Sequence, residues 1–144
     1  MIPAQNTKAA IVVLPQSVGT TEVNGTVDTL GWDYCTINFI ADTAAASSVP
    51  TTMSLAEGDT TSAYTAITTF EGGDTTDGFT IPAPNTTTGD IVKYHVDLRQ
   101  RKRYLQVGWA STTARLSAVT AELSRGKINP NTDAEANCAE IVYG

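Results

Sequence analysis

Five consecutive residues, Arg99-Gln100-Arg101-Lys102-Arg103, carry four positive charges. Arginine at this density makes paired hydrogen bonds to carboxylates, so the chemistry on offer is recognition of an acidic protein surface. A solvated hairpin end between two strands explains the same residues, and both readings stay open. Nucleic acid fits less well, because aromatics that could stack bases are not interleaved with the charges and only Tyr104 follows them. His95 is the single histidine. Any Ser-His-Asp arrangement would have to use it as the base, yet no G-x-S-x-G turn occurs and His95 falls mid-strand on a polar face. The acids Asp59, Asp74, Asp77 and Asp90 sit in turns, where carboxylates cap backbone amides. No EF-hand order appears, and Gly72-Gly73 lacks the G-K-[ST] of a phosphate loop. The residues therefore point to no catalytic group, no metal ligand and no cofactor. Trp32, after Gly31 at the start of a strand, is the candidate for stacking on a sugar ring, whereas Trp109 alternates in phase with Leu105 and Val107 and belongs to a core.

The elements that must hold these residues read as short strands. Threonine occurs 24 times in 144 residues, and charged residues make up only 17%. Its β-branched hydroxyl side chain suits a half-exposed pleated surface, which argues for an all-β chain and against a helical bundle. Ala10 to Leu14 is an apolar run ended by Pro15. Asn24-Gly25 between Thr20–Val23 and Thr26–Thr29 predicts a hairpin. In Trp32 to Ala41, Cys35, Ile37 and Phe39 share one face. Met53–Glu57, Tyr64–Phe70 and Phe79–Ile81 predict shorter strands. Ile91 to Leu98 alternates, as do Leu105–Trp109 and Val119–Leu123. Eight or nine strands with turn signals every 8–15 residues predict an antiparallel, jelly-roll-like β-sandwich. One domain spans 1–144, with a core at about 9–127, an extended N-terminal arm 1–8 and an extended C-terminal arm 128–144.

Charge is unevenly placed. Eight of the nine Lys and Arg residues lie between 93 and 127, while the net charge is −6. An acidic protein with one basic segment repels a phosphate backbone, so no nucleic-acid partner is expected. No run of 18 apolar residues is present, so no membrane span is expected either. The apolar stretch after Lys8 is too short for a secretory signal. Cys35 and Cys138 are too few and too far apart for a disulfide framework or a zinc site, and Cys35 reads as a reduced core thiol.

Two stretches carry a resemblance. Val27-Asp28-Thr29-Leu30-Gly31-Trp32-Asp33-Tyr34-Cys35-Thr36-Ile37 resembles a strand-opening motif, and Val96-Asp97-Leu98-Arg99-Gln100-Arg101-Lys102-Arg103-Tyr104-Leu105 resembles a basic hairpin, with Gln100 where that pattern has glycine. Together with Leu55-Ala56-Glu57-Gly58-Asp59-Thr60-Thr61, they are similar to capsid cement (decoration) proteins of tailed bacteriophages, in particular those of short-tailed cyanophages. The similarity runs from about residue 20 to 125. It implies a β-sandwich made in the host cytoplasm that trimerises and binds the outer surface of an icosahedral capsid. There it would contact the major capsid protein and bridge capsomers. Arg99, Arg101, Lys102 and Arg103 are then the expected capsid or subunit contacts, and both arms could extend onto neighbours. A carbohydrate-binding module of a phage fibre or tailspike, with Trp32 on the sugar, is the alternative. A glycan hydrolase would need a carboxylate pair at hydrolytic spacing in a cleft.

Overall fold

A computed structural model describes residues 6–127 and 133–140. Alternation drives the chain into eight strands: β1 (Thr7–Val18), β2 (Val23–Asp28), β3 (Tyr34–Ala41), β4 (Pro50–Thr60), β5 (Ala63–Ala66), β6 (Asp90–Asp97), β7 (Tyr104–Ser111) and β8 (Arg115–Ser124). They form two four-stranded antiparallel sheets in the orders β1-β8-β3-β6 and β2-β7-β4-β5. The direct pairs include β1 with β8, β2 with β7, β3 with β6 and β4 with β5. One long hairpin of strand pairs has thus been rolled so that successive pairs fall in alternate sheets, which is the jelly-roll order.

Each inner face carries the residues that alternation placed there. Cys35, Ile37 and Phe39 of β3 and Val119, Ala121 and Leu123 of β8 meet Leu105, Val107 and Trp109 of β7 and Met53 and Leu55 of β4. Side chains of this size stabilise by about 1.5–3 kcal/mol each when fully buried. Phe39 packs edge-on against Tyr94 at 4.9 Å, and Phe70 and Phe79 pack on Tyr94 in turn. The Tyr94 hydroxyl donates to the Met53 carbonyl at 3.0 Å, tying β6 to the opposite sheet. Cys35 is a free thiol deep in this core, and burial pushes its pKa up to about 12.

Several local expectations are overturned for reasons the pairing makes clear. No hairpin forms at Asn24-Gly25; β2 runs straight through both residues along β7. Gly25 is needed instead because β1 bulges at Val12 and presses its carbonyl onto the spot a Cβ would fill. Pro15 does not end β1, which is an edge strand with a second register shift there and tolerates a missing amide. The expected strand at 79–81 is only an isolated bridge between Gly72 and Phe79. The expected strand at 64–70 ends at Ala66, and a single 3-10 turn, Thr68–Phe70, follows.

At the termini, β1 already begins at Thr7, inside the expected arm 1–8, whose first five residues lie outside the described residues. The expected C-terminal arm is in part a helical turn, α1 (Asp133–Ala136), with 128–132 and 141–144 outside the described residues. Ala136 is buried, and the Asn137 side-chain amide donates to the Ala9 carbonyl at 2.8 Å, so this segment folds back on β1. Among the described residues no helix is long and apolar enough to cross a membrane.

Candidate functional site

The two motif stretches meet at one end of the sandwich. Thr29-Leu30-Gly31-Trp32 is a turn closed by the Trp32 amide on the Thr29 carbonyl at 3.1 Å. Gly31 has φ +88°, a left-handed conformation that glycine adopts without strain. Asp28 caps the turn by accepting from the Leu30 amide at 3.1 Å. Beside it, Leu98–Gln100 forms a 3-10 turn capped by Asp97, which accepts from the Arg99 amide at 3.1 Å.

The chain then crosses to the other sheet. β6 lies at the edge of the first sheet and β7 inside the second, so the basic stretch is an arch between sheets and not a hairpin end. That crossing explains why it carries so many donors, since it must satisfy and join strands from both layers.

Each of the four cations has a carboxylate within the chain. Arg99 binds Asp97 through Nε at 2.9 Å and Nη2 at 2.5 Å. Arg103 forks onto Asp28 at 2.9 and 2.7 Å. Arg101 reaches Glu57 at 3.5 Å, and Lys102 reaches Asp59 at 3.4 Å. The backbone repeats the links: the Thr29 amide and hydroxyl both donate to the Arg103 carbonyl, and the Lys102 amide donates to Glu57. The Arg99 hydrogen bond holds the Asp97 carboxyl down at about 2. Asp28 is lowered by Arg103, and both arginines are shifted up by the same bonds. The cluster is therefore a locally neutral ion-pair network that joins β2, β4, β6 and β7.

Tyr34 lies at the same end, with the Arg99 and Arg125 guanidinium groups each 5.3 Å from its ring centre. Trp32 is partly buried against the core, and its ring lies against Gly126, where a Cβ would come within 2.8 Å. The sugar-stacking position expected at Trp32 thus has one ring face occupied by backbone. His95 is exposed on the outer face of β6, 3.3 Å from the Thr36 hydroxyl. Asp74 accepts from the Thr76 and Asp77 amides, the turn-capping role its type suggests. Among the described residues no three His, Cys, Asp or Glu side chains are gathered to hold a metal ion.

A feature that sequence reasoning missed lies on the outer face of the β1-β8-β3-β6 sheet. Ile91 stands opposite Ile40, and Ile40 opposite Ala118. Leu14 falls between the register pairs Val13–Val119 and Gln16–Ser117, beside Ala118. With Ile11 and Leu116 they make an apolar band across all four strands, and Ile11, Leu14, Ile91 and Leu116 are each 61–66% exposed. The signal was present in each strand as an apolar residue out of phase with the core set, but adjacency appears only once the strand order is known. Compared with known proteins, the chain matches no family model, no curated protein and no solved structure.

Proposed function

We propose that the protein is a virion structural protein that binds the outer surface of an icosahedral capsid as a homotrimer and stabilises it by bridging capsomers. The observation that carries this reading is the apolar band on the outer sheet face. Single exposed leucines are ordinary, but a contiguous band across four strands marks an interaction surface. Interfaces between permanent subunits are the most apolar class, so the band is assigned to a second copy of this chain within the trimer. Three-fold symmetry then repeats any weak capsid contact, and the contacts add through multivalency.

Capsid contact is assigned to the basic arch at the end of the sandwich, with Arg99, Arg101, Lys102 and Arg103. Because each base has its own acid, that end would meet the major capsid protein as a mixed-charge surface. Partner specificity would then come from matching geometry more than from net attraction. The glycan alternative draws no support from Trp32, whose ring packs on Gly126.

The test is co-sedimentation with capsids that lack the protein. Wild-type protein is expected to travel with them, and an Ile40→Ser, Leu116→Ser variant to stay behind. Failure of the wild type to bind overturns the reading. Unchanged occupancy after replacing the four basic residues with serine removes their assigned role.

A further inference from the structure

The outer sheet face that carries the apolar band also carries charge, and its two halves carry opposite signs. Alternation buries Tyr94 and Val96 of β6 and turns Lys93, His95 and Asp97 outward. On β8 it buries Ala121 and Leu123 and turns Glu122 outward. Among the described residues, Glu122 is the one charged side chain in outward register on β1 and β8. In the other half, Asp97 is taken by Arg99 and His95 lies against Thr36, which leaves the charge of Lys93. Unlike the bases of the arch, Lys93 has no ion pair among the described residues, and neither does Glu122.

Strand register keeps the two apart. Lys93 stands opposite Asn38, and Asn38 opposite Thr120, while Glu122 stands opposite Thr36, and Thr36 opposite His95. With β3 between them, the acid and the base are two strands and one row apart, about 10 Å across and about 7 Å along. Side chains that stand off the sheet in parallel do not close that gap. The row of Lys93 borders the apolar row of Ile91, Ile40 and Ala118, so both charges flank the band.

We propose that Glu122 of each copy pairs with Lys93 of the next, an ion pair that sets the register in which copies of this chain pack. The inference rests on the assignment of the apolar band to a second copy in a trimer. Cyclic three-fold symmetry makes such a contact heterologous: a sheet facing the axis sets its β1–β8 half against the β3–β6 half of the next copy. Those are the halves that hold the acid and the base. An apolar band by itself has no preferred register. Opposite charges at its border fix one, and a register that brings like charges together is penalised. The pair therefore serves specificity more than strength, as polar groups at the rim of an apolar interface do.

The experiment is a charge swap read by sedimentation equilibrium of the full chain, with circular dichroism as the check on folding. Glu122→Lys and Lys93→Glu each set like charges together and are expected to weaken self-association at least about tenfold. The double variant restores an opposite pair and is expected to return to within about threefold of wild type. Reversals that leave association unchanged, or a double variant as weak as either reversal, would overturn the pairing while leaving the band assigned to a second copy. A wild-type protein that stays monomeric would overturn both. If a reversal does not fold, sodium chloride decides on the wild type: association that weakens with salt supports the pair, and association that holds or strengthens overturns it.

Discussion

Arg103, at one end of the sandwich, has a side chain 43% exposed and grips Asp28 with two nitrogens, whereas Arg115, at the other, is 3% exposed and holds Asp90 with one. The first belongs to a network in which every base has a carboxylate; the second keeps buried donors without an acceptor among the described residues. Solvent explains the difference in weight. Exposed pairs are screened by water and salt and contribute little singly. A buried guanidinium has surrendered its hydration, so the few groups that face it decide whether its end of the sandwich holds. The crowded basic stretch is therefore the less critical end for stability, although it is the more conspicuous in sequence.

The largest break in this comparison should come from Arg115→Met. It leaves Asp90 without its cation and should cost about 3 kcal/mol, the low end for a broken buried pair because Asp90 is itself partly exposed. The urea midpoint reads it. A loss no greater than that of a typical surface substitution would erase the distinction between the ends.

Next is Gly31→Ala at the charged end. A Cβ there meets nothing within 4 Å, so the cost is the left-handed backbone alone, about 1–2 kcal/mol. Equilibrium unfolding should show that loss with an unchanged slope.

The smallest effect is expected from the ion pairs themselves. Asp28 and Asp97 are held below the ordinary carboxylate range, so their stabilisation is complete above the unfolded value near 4. It is lost as pH falls through the folded value, about 2 for Asp97. Stability should thus decline between roughly pH 4 and pH 2. Replacing Arg99, Arg101, Lys102 and Arg103 with serine should flatten that arm and lower the midpoint less than Arg115→Met does. An acid arm left intact in this variant would show that other carboxylates set it.

Much of the fold was legible. The alternation of Cys35–Phe39, Val92–Val96, Leu105–Trp109 and Val119–Leu123 assigned four core strands to the correct faces, because period-two burial is a local property. What local pattern could not supply was pairing. Gly25 resembles a turn residue until Val12 is seen to lie against it, and Pro15 resembles a stop until β1 is known to be an edge. The basic stretch was visible as charge, but its acids come from 28, 57, 59 and 97, gathered only by the roll of the sheets. Arg115 gave no signal at all, since a lone arginine at a strand start looks solvated. The apolar band was hidden in the same way, one residue per strand.

The assignment of that band to a second copy is the central claim, and the native mass of the purified protein tests it most directly. Light scattering after size exclusion should give a species near three times 15.2 kDa, which Ile40→Ser with Leu116→Ser dissociates. A wild-type protein that elutes and scatters at 15.2 kDa would contradict the account.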